Sequence, residues 1–151
     1  MTSNVAQLAS ALHAISVLAI QQSPQELRVA VIGSHTFTPL SLVTSLIAHL
    51  PASCVVVANN ANKVEQQALA DARRYGYNFE EHAPAGEHDG DEATNEKNNA
   101  LIQTTSVVVA FGDGNSQEIS TSISSARKTG IPVFIITPPP ARNAPIQNTL
   151  F

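Results

Sequence analysis

A chain of 151 residues, 43% of them hydrophobic, has the size of one compact domain with a single core, so no second domain is needed. The formal net charge is −4, and the eight basic residues (Arg28, Lys63, Arg73, Arg74, Lys97, Arg127, Lys128, Arg142) are scattered along the chain. Without a basic stripe to track a phosphate backbone, nucleic acid is not expected as a partner, whatever the fold.

From Ser3 to Gln21 the residues Val5, Leu8, Leu12, Ile15 and Ala19 recur at helical spacing and predict an amphipathic helix. Lying ahead of the first strand, it either covers the sheet or pairs with a second subunit. Its run "ALHAISVLAI" follows no Lys or Arg, is interrupted by His13 and Ser16, and is too short to span a bilayer. Neither a signal peptide nor a membrane partner is expected, and "QQSPQE" ends the helix at Pro24.

"LRVAVIG", Leu27 to Gly33, is a continuous apolar run and reads as a buried strand. "TPLSLVTSLIAHL" then predicts a helix, with Thr38 as its cap, Pro39 at the first helical position, and Leu42, Val43, Leu46, Ile47 and Leu50 on one face. "CVVVA", Cys54 to Ala58, is a second strand. Cys54 is the only cysteine, so no internal disulfide can form, and a reducing cytoplasm is the simplest compartment. Within that strand it reads as a small buried side chain rather than a nucleophile.

The next helix, "NKVEQQALADARRYG", has Asn62 and Glu65 at capping-box spacing and Gly76 as its stop. A short strand is expected at Tyr77 to Phe79. The following "NFEEHAPAGEHDGDEATNE" carries seven of the twelve acidic residues and reads as a solvated loop. His82, His88 and Asp89 lack a metal-ligand spacing, so no metal site is assigned. A helix near Glu96 to Gln103 leads to the strand Ser106 to Phe111, a helix follows from Gln117 to Lys128 and stops at Gly130, and Ile131 to Thr137 is the last strand.

Alternating strands and helices with fully apolar strands mean a parallel α/β sheet with helices on both faces, preceded by the extra N-terminal helix. The expected organisation is a helix over 1–24, an α/β domain over 25–137 and a Pro-rich arm over 138–151 that is loose or docked on a neighbouring subunit. Ligands of such sheets bind beyond the carboxyl ends of the strands. The loops Gly33 to Phe37 and Gly112 to Gln117 are therefore the first candidates.

Four segments in order resemble the SLOG superfamily, which includes the lonely-guy phosphoribohydrolases, often called lysine decarboxylase-like, and the DNA-processing protein A domain. The small bacterial and phage branch has a GSR start, a GGxxGxD loop, an RN pair and a DGxSxGT loop. Here "VAVIGSHTF" keeps Gly33 and Ser34, with His35 in place of arginine. In "VVVANNANKVE" Asn59 and Asn60 replace the glycine pair, Lys63 the later glycine and Glu65 the aspartate. "EKNNALI" offers Lys97 and Asn98 for Arg-Asn, and "FGDGNSQEIS" keeps Asp113, Gly114 and Ser116 while Glu118 and Ile119 replace Gly-Thr. The resemblance implies a Rossmann-like three-layer sheet of strand order 3-2-1-4-5, with the loops after strands 1 and 4 side by side.

It also implies a ligand-binding cleft formed by Gly33, Ser34, His35, Asn59, Asn60, Lys63, Lys97, Asn98, Asp113, Gly114 and Ser116. Asn59 and Asn60 can reach left-handed conformations and offer amides to a base or sugar. Lys63 and Lys97 could hold an anion, and Asp113 is either a turn residue or a ribose contact. His35 is either a plain loop residue or a ligand contact that is positive only below about pH 6.5. Ser34 and Ser116 each either contact the ligand or cap a helix.

Glu118, in the first turn of a helix, favours the same positive end that a phosphate needs. The reading is a nucleotide-derived small molecule bound without turnover and without a cofactor. The alternative is a phosphoribohydrolase or related N-glycosidase working through Glu118, Asp113 and Lys97. A further alternative is an assembly module with a vestigial pocket. The two terminal extensions suit subunit contacts, so a homo-oligomer is expected.

Overall fold

The computed structural model of the chain describes residues 4–82, 105–113 and 117–139. The elements in order are α1 (Asn4–Gln22), β1 (Leu27–Gly33), α2 (Ser41–Ala48), β2 (Cys54–Asn59), α3 (Lys63–Tyr75), β3 (Asn78–His82), β4 (Val107–Phe111), α4 (Gln117–Lys128) and β5 (Val133–Ile136). The five strands form one sheet in the order β3-β2-β1-β4-β5, and every pairing is parallel. This is the α/β sheet expected from the sequence. The helix expected near 96–103, most of the acidic loop and the arm from 140 onward lie outside the described residues.

Both faces of the sheet are buried. Val29, Val31, Val56, Val107 and Val109 join residues of α1, α2 and α3 in one core, while Ala30, Ile32, Val55, Val57, Val108 and Ala110 join Ile119, Ile123 and Ala126 of α4 in the other. Successive residues of a strand point to opposite faces, so a strand covered on both sides must be apolar at every position. That is why β4 is apolar throughout and β1 and β2 are apolar but for Arg28 and Asn59.

α1 buries Leu8, Ala11, Ile15 and Ala19 against the sheet, and Gln7 Oε1 accepts from the Thr137 backbone N–H at 2.8 Å and its hydroxyl at 3.0 Å. Covering the sheet beside β5 is thus a role of this helix. Its 19 residues are long and apolar enough, by length and composition, to cross a membrane. The expectation that the segment is too short for that counted only the ten-residue apolar core of the helix.

α2 starts later than expected. Thr38 does not cap it: Leu42 N–H donates to Pro39 O and Val43 N–H to Leu40 O, so a tight first turn begins at Leu40, which makes no side-chain cap bond. α3 follows its sequence signals closely. Asn62 Oδ1 accepts from Glu65 N–H at 3.0 Å, and Gly76 closes the helix in the left-handed region at φ 82°.

β3 runs further than expected, to Glu81 and His82, which takes the first acidic residues out of the loop. Arg28 on β1 reaches across β2 to hold both carboxylate oxygens of Glu80, at 2.5 and 2.6 Å. The hydrogen bonds push the Glu80 carboxyl below its usual range and the Arg28 guanidinium above its own.

Candidate functional site

Because β1 is central and its neighbours β2 and β4 continue in opposite directions, the loops after these three strands meet at one point on the carboxyl side of the sheet. Hydrogen bonds tie them together. Ser34 N–H donates to Phe111 O at 3.0 Å, joining the β1 and β4 ends, and Asn62 Nδ2 donates to Gly33 O at 2.8 Å, joining β1 to the start of α3. The expected neighbourhood of the first and fourth strand ends is therefore present.

The first loop is held by its own side chains. Ser34, buried, accepts the Thr36 N–H on its hydroxyl at 3.3 Å and lies 3.0 Å from the Thr36 hydroxyl. It fastens a turn rather than capping a helix. His35 beside it is exposed.

Gly33 answers to packing. A Cβ there would stand 2.5 Å from Val64 Cγ1 and 2.6 Å from Val64 Cβ, so β1 and the first turn of α3 approach more closely than any side chain allows. Gly112 is placed similarly but less rigidly, since its Cβ would meet Ile119 Cδ1 at 2.7 Å. The glycine retained at the β1 end has a structural reason that needs no ligand.

The second loop closes on itself. Glu65 is buried, and its Oε1 accepts the Ala61 N–H at 2.9 Å while its own N–H is bonded to Asn62. The Asn62 amide caps the Glu65 N–H, and the Glu65 carboxylate holds the Ala61 N–H just ahead of the helix, close to its positive end. Asn60 Nδ2 donates to Glu81 Oε2 at 2.8 Å, and Asn59 is the buried last residue of β2. Neither adopts the left-handed conformation that was open to it, for no described residue other than glycine has positive φ. Lys63 and Asp113 are exposed. Lys97, Asn98, Gly114, Ser116 and the Glu118 side chain lie outside the described residues.

Sequence reasoning paired Asn62 with Glu65 but missed two partners: Glu81, which holds Asn60, and Val64, which demands Gly33. The Asn62–Glu65 spacing signalled the cap; nothing local signalled the other two contacts. A shallow cleft of about 170 Å³ lies at the β3 side of this rim, lined by Asn60, Gln66, Leu69, Ala70, Arg73 and Glu81. A hollow of about 440 Å³ lies elsewhere, between the end of α1 and His49, Pro51 and Ser53.

Cys54 is free and buried, and burial pushes its thiol up to about 11, which keeps it protonated and unreactive. Of the residues weighed as metal ligands, His82 sits on β3, 3.7 Å from Glu80, while His88 and Asp89 lie outside the described residues. Among the described residues no group of three or more His, Cys, Asp or Glu could hold a metal ion.

Fold and strand order define a Rossmann-like α/β domain whose natural site is this junction of strand ends. A solved structure similar to it is DNA processing protein A from Helicobacter pylori, with a TM-score of 0.53 and 19% identity over 74% of this chain and 65% of that one. The chain thus matches about two thirds of that protein's length, and the likeness is one of fold. No protein-family model and no curated protein matches.

The similar protein binds single-stranded DNA. That overturns the expectation that nucleic acid is excluded whatever the fold. The exclusion rested on basic residues being scattered in sequence, which does not fix how they lie in space. Arg73 stands over the Phe79 ring at 5.4 Å and Arg74 over the Tyr75 ring at 5.6 Å, so two cations of the count are beside aromatic faces.

Proposed function

We propose that the chain is a SLOG-like binding domain that holds a nucleotide-derived small molecule where β1, β2 and β4 end, without turning it over. The observation that carries this reading is the Ser34 to Phe111 hydrogen bond, which sets the ends of β1 and β4 side by side, with Ser34 and Asp113 on the loops that follow them and Asn60 just after β2. The Glu65 carboxylate at the start of α3 disfavours a phosphate there, and in this proposal the ligand is read through its sugar and base by neutral groups and by Lys63. Lys97, Asn98, Gly114 and Ser116 complete the site in this proposal. A reducing cytoplasm suits the buried thiol of Cys54.

Hydrolysis would need a carboxylate held against the ligand: Asp113, two residues beyond β4, is exposed, and the Glu118 side chain lies outside the described residues. A second reading, single-stranded nucleic acid, is favoured by the fold shared with a DNA-binding protein and by the two arginine–aromatic pairs, Arg73 with Phe79 of β3 and Arg74 with Tyr75 at the end of α3.

Thermal-shift measurement against nucleosides, nucleoside monophosphates, ADP-ribose and a short single-stranded oligonucleotide separates these readings. Stabilisation by a nucleoside or nucleotide with no base released supports the proposal. Released base supports the hydrolase, and a shift with the oligonucleotide alone supports the second reading. No shift with any of them leaves an assembly module.

A further inference from the structure

The two edges of the sheet are built differently. β3, at one edge, presents Asn78, Glu80, Glu81 and His82. Charged residues of this kind are how an open edge is kept from pairing with another chain. β5, at the other edge among the described residues, is Val133-Phe134-Ile135-Ile136, without a charge, a proline or a glycine, and its first three residues are only partly buried.

The ladder shows which backbone groups face outward. Val108 N–H donates to Pro132 O and Gly112 N–H to Ile136 O, each at 2.9 Å, so Pro132, Phe134 and Ile136 address β4 while Val133, Ile135 and Thr137 face away. Gln7 takes the Thr137 N–H. Among the described residues the N–H and C=O of Val133 and Ile135 have no partner along the edge, where an open cleft of about 330 Å³ is lined by Gln7, Ser10, Arg127, Val133, Phe134 and Ile135.

We propose that this edge pairs with the β5 edge of a second copy of the chain, antiparallel across a two-fold axis, so that two five-stranded sheets become one. A two-fold axis sets a strand against itself in the opposite direction, and an uncharged strand meets no like charge when it does so. Setting Val133 opposite Ile135 of the other copy uses the outward groups of both residues on both strands. A free peptide would gain the same few hydrogen bonds but must order its backbone at about 1–2 kcal/mol per residue. A second copy brings a strand already formed, together with the flanks of α1 and α4. Arg127, at the rim, is exposed.

Sedimentation equilibrium on the full chain tests this. The expected result is a dimer that Ile135→Pro dissociates with its far-ultraviolet circular dichroism unchanged, because proline there removes an outward N–H and none directed at β4. Two hydrogen bonds disappear per dimer by symmetry, so Kd rises at least about tenfold. Val133→Lys, which places a charge on the edge, gives the same result if the proline variant does not fold. A wild-type chain that is monomeric up to high micromolar concentration overturns the proposal, as does a dimer that persists in the folded edge variants.

Discussion

Replacing Gly33 by alanine tests whether the glycine at the β1 end serves packing. Its φ is not positive, so alanine fits the backbone there. With nothing nearby the change would stabilise the fold by about 0.4–1 kcal/mol by restricting the unfolded chain. The added methyl instead lands 2.6 Å from Val64 Cβ, an atom that no rotamer change can move. α3 must retreat by roughly 1 Å to restore ordinary contact, which strains the Asn62 to Gly33 hydrogen bond. Overpacking of about 1–3 kcal/mol and a weakened bond of about 1 kcal/mol give a loss near 3 kcal/mol. In a domain of this size that lowers Tm by roughly 6–12 °C. Gly112→Ala is the control: its methyl meets the flexible end of Ile119 and should cost under about 1 kcal/mol. Urea denaturation followed by circular dichroism measures both. Equal losses, or a stabilised Gly33→Ala, would refute the packing explanation.

Thr44 donates to the buried Asp71 carboxylate at 2.6 Å, alongside Gln67 at 3.0 Å, and so links α2 to α3. Thr44→Val should cost about 1.5–3 kcal/mol in the same assay, as expected for a hydrogen bond to a charged group. Cys54 should resist alkylation at pH 8 in the native protein and react readily in urea, since its thiol titrates near 11 only while buried. The Glu80 carboxyl is depressed in the fold by Arg28, so the pair adds stability above the unfolded carboxyl value of 4.5 and loses it as pH falls through the lower folded value. Glu80 is 46% exposed, which keeps the effect under about 1 kcal/mol. Arg28→Met should abolish that part of the acid dependence of urea midpoints between pH 6 and pH 3.

The sheet was legible in the sequence because both its faces are buried, which makes β4 apolar throughout and β1 and β2 apolar but for Arg28 and Asn59. Helix α3 was legible because its ends use local chemistry: the Asn62 and Glu65 side chains and the left-handed Gly76 act within a few residues of themselves. The start of α2 was not, because its first turn is made by backbone bonds from Pro39 and Leu40 that leave no residue signature. The strand-end loops were legible in position but not in their reasons. Gly33 and Ser34 stand where expected, but their reasons lie in Val64, Phe111 and Thr36, and the first two of these are far away in sequence. The altered second loop looked like a damaged anion site, whereas Glu65 and Asn62 make it a closed helix cap. The exclusion of nucleic acid counted charges along the chain, which does not fix how they lie in space, and a similar fold in a protein that binds single-stranded DNA removes its ground.

Amide chemical-shift mapping of the isotope-labelled chain, titrated with adenosine and then with its monophosphate, tests the binding cleft most directly. Saturable shifts should centre on Ser34, His35, Asn60, Lys63 and Asp113, at the meeting point of the three strand ends, and leave the amides of α1 unmoved. Shifts centred on Arg73, Tyr75 and Phe79, or saturable shifts nowhere in the sheet, would contradict a ligand site at that junction.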